Sequence, residues 1–264
     1  MTRICVFGLG EAGSLIAADL AAAGVDVQGY DPAPVPTPAG VTRHDDPVAA
    51  VERVDVVLAL TAAADAPTAL AQALDAVPRG AVYADLSTAS ARAKLRLAAT
   101  AAGAGIGFVD VALMSTVPGN GLLTPALASG SAASAFVAAM APFGMPVDPA
   151  GDEAGLAATR KLLRSVVMKG LAALVIESMR AAGAAGLGEE TWHNLVAELT
   201  AADEGLIRRL VTGTGPHATR RLHEMEATAE LLAELGVDPV MTRSTVAYLA
   251  GLADGTVSLP ALPD

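Results

Sequence analysis

The sequence RICVFGLGEAG at residues 3–13 decides the fold, because it joins a short apolar run directly to a glycine-rich turn. The run Arg3–Phe7 predicts a buried β-strand, and Ser14–Ala23, followed by Gly24, predicts an α-helix that ends at that glycine. A strand, a Gly-x-Gly-x-x-Gly turn and a helix in this order are typical of a dinucleotide-binding site.

Each glycine of this turn has a separate role in such a site. Gly8 permits the tight turn, Gly10 lets the backbone approach a pyrophosphate, and Gly13 lets the helix pack closely on the strand. The first N–H groups of the helix and its positive dipole end then face the phosphates. The predicted cofactor contacts in the turn are Gly8, Leu9, Gly10, Glu11, Ala12 and Gly13.

An acidic residue after the second predicted strand, Asp26–Tyr30, bears on the choice of cofactor. Asp31 lies 18 residues after Gly13, where a carboxylate accepts a hydrogen bond from a ribose 2′-OH and repels a 2′-phosphate. The alternative is that Asp31 only starts a turn before Pro32. We predict an NAD(P)H cofactor, with NAD(H) favoured.

Strand-like and helix-like segments alternate through the first 150 residues, which predicts parallel strands in a doubly wound α/β sheet of the Rossmann type. Residues Thr61 and Ser87 each follow one of these predicted strands and are expected to flank the nicotinamide. The further predicted segments are strands at Val54–Leu60, Ala81–Leu86 and Ile106–Ala112, and helices at Ala69–Ala76 and Ala91–Ala102.

The pattern changes after Pro149. From Ala154 to Met179 it is helical and free of proline, which predicts one long helix between two domains. The segment from Glu189 to Asp254 is helical, with breaks at 212–216 and 236–239. We predict a Rossmann domain over residues 1–151 and an all-helical substrate and dimerisation domain over residues 152–264.

Composition excludes several classes of protein. Hydrophobic residues make up 53% of the chain, which excludes an intrinsically disordered protein, and the single cysteine, Cys5, excludes an internal disulfide and is expected to be an inert core residue. The net charge of −11 argues against a nucleic acid partner. The strand pattern starts at Arg3 and no uninterrupted apolar window of about 18 residues occurs, so we expect a cytoplasmic protein without signal peptide or membrane span.

Taken together, these motifs resemble the β-hydroxyacid dehydrogenase superfamily, and within it the NAD(P)-dependent oxidoreductases similar to 6-phosphogluconate dehydrogenase. Residues 85–88, DLST, match the Asp-Ser-Thr region of that family, and residues 110–118, DVALMSTVP, match its substrate loop more loosely. The family's catalytic lysine follows a glycine by six residues, a spacing that Gly155 and Lys161 keep. The resemblance implies hydride transfer between a small hydroxy acid and its oxo acid, with Lys161 as general acid and base.

Two positions depart from the family pattern. Ser165 stands where the family has an amide, and Met114, Ser115 and Thr116 replace its Ser-Gly-Gly, so that the serine is displaced by one position. By this resemblance Ser165 is the second catalytic residue, and residues 114–116 contact the substrate.

The chemistry of Lys161 supports its assignment independently of the family. The chain has fourteen arginines but only three lysines, so a lysine in an apolar helix indicates a titratable amine. Arg160 and Arg164 lie beside it and one turn away, and positive neighbours favour a neutral amine. Such an amine can exchange a proton with the alkoxide of hydride transfer. The alternative is a solvated flank of an amphipathic helix.

Other charged residues carry weaker signals. Lys169 lies eight positions after Lys161 on the predicted helix, and Arg220 is suited to clamp a carboxylate or phosphate, so both are predicted substrate contacts. The alternatives are a side chain that snorkels over apolar surface and an i,i+4 pair with Glu224. No metal site is predicted, because His223 lacks the second histidine of a zinc-binding helix.

Two other functions stay open alongside a hydroxyacid dehydrogenase. An imine reductase shares the overall plan but usually has no lysine at the position of Lys161, and a non-catalytic NAD(P)-binding protein can use the same fold. The predicted partners are a small anionic or polar substrate and a second copy of the chain, because the long helix carries much apolar surface.

Overall fold

The computed structural model describes residues 2–263, and the chain divides into two compact units, residues 1–164 and 165–264. The division falls within the long predicted helix. The predicted domain boundary at 151/152 stays a prediction, and each compact unit is described by itself.

Eight strands form one sheet in the first unit. They are β1 (Arg3–Phe7), β2 (Asp26–Tyr30), β3 (Val41–His44), β4 (Val56–Ala59), β5 (Val82–Asp85), β6 (Gly107–Leu113), β7 (Ala126–Ser129) and β8 (Val147–Gly151). Their order is β3-β2-β1-β4-β5-β6-β7-β8, and the strands from β3 to β6 pair in parallel. β7 runs antiparallel to β6 and parallel to β8. The predicted doubly wound α/β fold is confirmed.

Helices cover the sheet and continue into the second unit. Those of the first unit are α1 (Glu11–Ala22), α2 (Pro47–Val51), α3 (Ala66–Leu74), α4 (Ala91–Gly103), α5 (Ala133–Met140) and the start of α6 (Leu156–Ala184). Those of the second unit are the remainder of α6, α7 (Gly188–Thr200), α8 (Glu204–Thr212), α9 (Ala218–Glu234) and α10 (Val240–Asp254).

Strand β1 shows why both faces of the sheet are covered. Its side chains alternate, so that Ile4 and Val6 enter one apolar cluster while Cys5 and Phe7 enter another. All four side chains are buried. A strand that is apolar on both faces needs helices on both, which is the doubly wound arrangement.

Five elements of the first unit were not predicted: β3, α2, β7, α5 and β8. β3 is a short strand with three polar residues, and β7 is a four-residue strand of small side chains, so neither shows a clear apolar period. β8 contains Pro149, which argues against a central strand. The sheet tolerates this proline because β8 lies at its edge.

The second unit is helical, as expected. The predicted breaks at 212–216 and 236–239 are confirmed, and a further break at 201–203 separates α7 from α8. Asp203 explains that break, because its carboxylate accepts the Leu206 N–H at 2.8 Å and so caps a new helix. Within residues 2–263, no helix is both long and apolar enough to cross a membrane.

Candidate active site

The parallel strands deliver the predicted cofactor residues to one edge of the sheet. Gly8 follows β1, Asp31 follows β2, Thr61 lies just beyond β4, and Ser87 lies just beyond β5. The carboxyl ends of neighbouring parallel strands meet at a common edge, and ligands of doubly wound folds bind there. The fold thus places these four residues where a dinucleotide binds in such sheets.

The glycine turn has the geometry that its three glycines suggest. Gly8 has a φ of +89°, and a Cβ there would lie 2.4 Å from the carbonyl oxygen of Leu60. A Cβ on Gly13 would lie 1.8 Å from the carbonyl oxygen of Gly8. A Cβ on Gly10, in contrast, would meet no atom within 4 Å. Two glycines are therefore required by packing, whereas Gly10 leaves open space beside the first turn of α1.

A pocket of about 400 Å³ opens beside this turn. Gly8, Gly10, Asp31 and Thr61 are among its lining residues. The Oγ1 atom of Thr61 is buried and has no hydrogen-bond partner within the described part of the chain. A buried hydroxyl without a partner is costly unless a ligand satisfies it. The pocket therefore fits part of a dinucleotide, with Thr61 available to it.

Asp31 holds the turn as well as facing the pocket. One carboxylate oxygen accepts the Leu9 N–H at 2.7 Å, and the other accepts the Ala33 N–H at 2.8 Å. Each oxygen keeps a further lone pair for a ribose hydroxyl. Arg43, the first basic residue after Asp31, donates to the main-chain carbonyls of Asp31, Ala33 and Val35. Its guanidinium is thus bound to the loop that follows β2.

Lys161 meets the second sequence motif. Its Nζ donates to the Thr88 Oγ1 at 3.1 Å, next to the predicted nicotinamide residue Ser87. Gly155, the glycine of the same motif, has a φ of +95°, and a Cβ there would lie 3.0 Å from the carbonyl oxygen of Ala91. The start of α6 therefore packs tightly on the start of α4, which lets Lys161 reach the loop after β5.

A buried ionic cluster lies beneath this loop and was missed by the sequence reasoning. Lys94 Nζ lies 2.9 Å from Asp85 Oδ2 and 3.1 Å from Asp110 Oδ1, and all three side chains are at most 1% exposed. A signal existed in the sequence, because Lys94 shares one face of α4 with the buried Leu97 and Ala101. A lysine at such apolar spacing predicts a buried charge with a partner.

The remaining predicted site residues have less defined surroundings. After β6, Met114 is half-buried, while Ser115 and Thr116 are exposed. Ser165, Lys169 and Arg220 belong to the second unit, so their role in this site stays a prediction. For Arg220 the expected pair with Glu224 is present at 3.4 Å. Within residues 2–263, no group of His, Cys, Asp and Glu side chains is arranged to hold a metal ion.

Two buried groups of the first unit are unsuited to proton transfer. Burial raises the pKa of the Cys5 thiol far above its ordinary value, so the thiol stays protonated and Cys5 is the inert core residue that was expected. Burial, together with Asp85 and Cys5, likewise raises the pKa of Tyr83. Neither side chain can serve as an acid or base near neutral pH.

Comparison with known protein families agrees with this geometry. Residues 3–141 match the NAD binding domain of 6-phosphogluconate dehydrogenase. The chain belongs to this family. Its members are NAD(P)-dependent oxidoreductases, so this chain has an NAD(P)-binding domain on a hydroxyacid dehydrogenase-like fold. Residues 182–252 match a second family model, which is described as a domain of unknown function (DUF1932).

Individual proteins of unknown function are similar to this chain as well. An uncharacterised 28.5 kDa protein of Methanothermus fervidus is 31% identical over 108 residues, which span 39% of this chain and only 41% of that protein. The solved structure of MTH1747, a conserved protein of unknown function with reported similarity to 3-hydroxyacid dehydrogenases, is 27% identical, with a TM-score of 0.60 over 96% of this chain and 98% of that one.

Imine reductases share the fold. The imine reductase from Myxococcus stipitatus in complex with NADP+ has a TM-score of 0.81, covering 96% of this chain and 94% of that one. Its sequence is only 17% identical. At that identity the likeness establishes a common fold and leaves the reaction to be argued from the site residues.

Proposed function

We propose that this chain is an NAD(P)-dependent oxidoreductase that interconverts a small hydroxy acid and its oxo acid, with Lys161 as the general acid and base. The contact between Lys161 Nζ and Thr88 Oγ1 carries the proposal. It places an amine beside the loop after β5, at the same sheet edge as the glycine turn and Asp31. The proposed cofactor site and the proposed proton donor thus share one edge of the sheet.

The site residues have distinct tasks in this reaction. When bound, the cofactor supplies or accepts a hydride at its nicotinamide ring. During reduction, the ammonium form of Lys161 gives a proton to the oxygen of the former carbonyl group, and during oxidation neutral Lys161 accepts the hydroxyl proton. Thr88 accepts a hydrogen bond from the amine and orients it. Ser165 is proposed as a second polar group at the reacting centre.

Replacement of Lys161 tests the proposal directly. We expect Lys161→Ala to lower kcat by about 10²–10⁴-fold, because general acid–base catalysis contributes that range, while the Kd for NADH stays unchanged. Lys161→Arg keeps the charge but cannot release a proton near neutral pH, so it should be similarly inactive. Arg96→Ala, an exposed change on α4, is the matched control. The measurement is NADH absorbance across a panel of hydroxy and oxo acids, and normal turnover by Lys161→Ala would remove Lys161 from the mechanism.

We further propose that the cofactor is NAD(H) rather than NADP(H). The carboxylate of Asp31 lines the pocket and repels a 2′-phosphate. The guanidinium of Arg43 already donates to three main-chain carbonyl groups, so it is engaged before any phosphate binds. The Kd for NADH should therefore be at least about tenfold lower than that for NADPH. Titration of both cofactors by fluorescence measures this ratio, and a preference for NADPH contradicts it.

The proposed substrate is small and anionic or polar. No lysine or arginine lies between Arg96 and Arg160, and the next bases include Lys161 and Lys169 on α6. On an acidic chain this is a local concentration of positive charge, which attracts a carboxylate. We assign Met114, Ser115 and Thr116, together with Lys169 and Arg220, to substrate binding.

We also propose that the protein acts as a cytoplasmic homodimer. The part of α6 in the second unit leaves Val166, Val167 and Ile176 exposed at 72%, 65% and 60%. Large apolar side chains rarely stay exposed together on a monomer, and a second copy of the chain offers a complementary surface.

Imine reduction is the second candidate reaction, and the shared fold with the Myxococcus stipitatus enzyme favours it. Cyclic imines tested beside the hydroxy acids distinguish the two reactions. Turnover of imines alone replaces the dehydrogenase assignment. Binding of NADH without turnover of either class supports a non-catalytic NAD(P)-binding protein.

A further inference from the structure

The first unit contains a charged cluster that the proposed chemistry does not use. Lys94 on α4 lies between Asp85, at the end of β5, and Asp110, within β6. Its ammonium contacts the Asp85 Oδ2 at 2.9 Å, the Asp110 Oδ1 at 3.1 Å and the main-chain oxygen of Asp85 at 2.8 Å. Asp85 and Asp110 are direct neighbours in the parallel β5–β6 pair. One lysine therefore neutralises one of two adjacent carboxylates.

Burial of such a cluster costs free energy of folding. Each charge loses its hydration on burial, and apolar side chains of similar volume often stabilise a core equally well or better. Lys94 itself is completely buried, among the largest such side chains. Stability alone is therefore a weak reason for this arrangement, and a role in fixing geometry is the better one.

Through Asp85, the first arm of the cluster, Lys94 is connected to the loop after β5. Asp85 Oδ1 accepts the Ser87 N–H at 3.1 Å, and Asp85 Oδ2 accepts the Ser87 hydroxyl at 3.0 Å. Because the ammonium of Lys94 holds the same carboxylate, the position of Ser87 depends on it. Thr88 follows Ser87 directly and is the acceptor for Lys161.

Through Asp110, the second arm of the cluster, Lys94 is connected to the first turn of α6. Asp110 Oδ2 accepts the Gly155 N–H at 3.1 Å and the Ala158 N–H at 2.9 Å. Ser129 donates its hydroxyl to the same oxygen at 3.3 Å and accepts the Ala157 N–H at 3.0 Å. These N–H groups have no partner within the helix, so a carboxylate here fixes where the helix begins.

The two arms converge on the amine of Lys161. This residue lies one turn after Ala158 on α6, and Thr88 lies one residue after Ser87. Lys94 is therefore connected to both partners of the 3.1 Å hydrogen bond between Lys161 and Thr88, to Thr88 through Asp85 and to Lys161 through Asp110. The contacts of Asp85 and of Asp110 together fix the distance between the loop after β5 and the start of α6.

We infer that Lys94 is a positioning residue for Lys161: its buried ion pairs with Asp85 and Asp110 hold the β5 loop and the first turn of α6 in the register that places the Lys161 amine on Thr88. Only the expected loss of turnover rests on the proposed function, in which Lys161 is the acid and base. The geometric part concerns Lys161 itself and is measurable without a substrate.

The test uses the small number of lysines. Reductive methylation with isotope-labelled formaldehyde marks Lys161 and Lys169, and the buried Lys94 is protected. Lys161→Arg and Lys169→Arg assign the two signals by NMR. In Lys94→Met, which removes the charge but keeps an apolar stem, we expect the Lys161 signal to narrow and move to the position of a mobile, exposed lysine. Arg96→Met removes one exposed charge from the same helix and should leave the Lys161 signal unchanged.

Kinetics and cofactor binding complete the test. In Lys94→Met we expect kcat to fall about a hundredfold through misplacement of the proton donor. The Kd for NADH should change much less, because of the predicted cofactor residues only Ser87 is held by the cluster, while the glycine turn and Asp31 are not. A wild-type Lys161 signal in folded Lys94→Met overturns the inference, whatever the activity. If Lys161→Ala is fully active but the signal moves, the proposed function fails and the positioning role survives.

A second variant protects the test against loss of folding. Asp110→Asn cuts the link between Lys94 and α6 with a side chain of equal size, and it should move the Lys161 signal in the same direction. Asp85→Asn should do so through the other arm. If none of these variants folds, the cluster serves stability alone, which also overturns the inference.

Discussion

At the scale of single residues, the glycine turn shows that three similar residues meet three different physical demands. Gly8 needs a backbone with positive φ, and Gly13 needs the absence of a Cβ because the Gly8 carbonyl oxygen occupies that space. Gly10 has an extended backbone that any residue adopts, with open space around it. Gly10 is the N-cap of α1, where glycine is common, and the open space beside it can also admit a ligand.

This difference predicts opposite outcomes for two alanine variants. Gly13→Ala should destabilise the fold by about 1–3 kcal/mol through overpacking, although alanine favours helices elsewhere. Gly10→Ala should lower the free energy of unfolding by no more than about 1 kcal/mol, the usual cost of alanine at an N-cap, and weaken NADH binding by at least about tenfold. Urea unfolding and cofactor titration measure both variants. Unchanged NADH affinity in Gly10→Ala would argue that the pyrophosphate does not approach this turn.

At the scale of secondary-structure elements, a buried carboxylate determines where α10 begins. Glu177 on α6 accepts the Met241 N–H and the Thr242 N–H at 2.8 Å each, and the Thr242 hydroxyl at 2.7 Å. Burial raises the pKa of Glu177, but the hydrogen bonds from Thr242 and Met241 lower it more, so the net pKa lies below its ordinary value of 4.5. The helix starts here because its first donors are satisfied by this side chain.

This cap predicts a specific dependence of stability on pH. The lowered pKa means that the unfolded chain binds the proton more tightly, so the stabilisation is present above about pH 4.5 and is lost as the pH falls through the folded-state pKa. Glu177→Gln should lose about 1–3 kcal/mol at neutral pH and become less sensitive to acid than the wild type. Thermal unfolding across the acidic range measures this, with the exposed Glu226→Gln as control. Parallel pH profiles for Glu177→Gln and the wild type would contradict the assignment.

Elements with strong local signals were predicted well, and elements defined by their neighbours were not. β1 and β2 were predicted with the bounds that the structure shows, since an apolar run beside a glycine turn or before a proline-rich loop is a local pattern. β7 and β8 depend on pairing with each other and with β6, and their small or proline-containing sequences carry no period. Strands of this kind adopt an extended conformation because they pair with neighbouring strands of the sheet.

At the scale of the whole molecule, charge and apolar surface are distributed unevenly. The net charge of −11 is combined with a long segment free of lysine and arginine, residues 97–159. The same chain leaves Val166, Val167 and Ile176 of α6 exposed. An acidic molecule with exposed apolar side chains on one helix is suited to self-association through that helix rather than to binding polyanions.

The proposed homodimer predicts a defined mass in solution. Light scattering should give twice the chain mass of 26.3 kDa, and the double variant Val166→Lys/Ile176→Lys should give a single chain mass, because charged side chains oppose burial of this part of α6. Leu123→Lys changes an equally exposed apolar residue of the first unit and should leave the mass unchanged. A wild-type protein that stays at 26.3 kDa at high concentration would contradict the homodimer.

The sequence by itself determined the doubly wound fold and the glycine turn, and it predicted the roles of Asp31 and Lys161, because these depend on local periodicity, on residues that permit unusual backbone and on fixed spacing. Only the tertiary structure decided that Lys94 lies between Asp85 and Asp110 and that Lys161 reaches Thr88. The last two residues are 73 positions apart, so no local pattern joins them. Their contact arises from packing of α6 against α4, which requires the complete sheet as a scaffold.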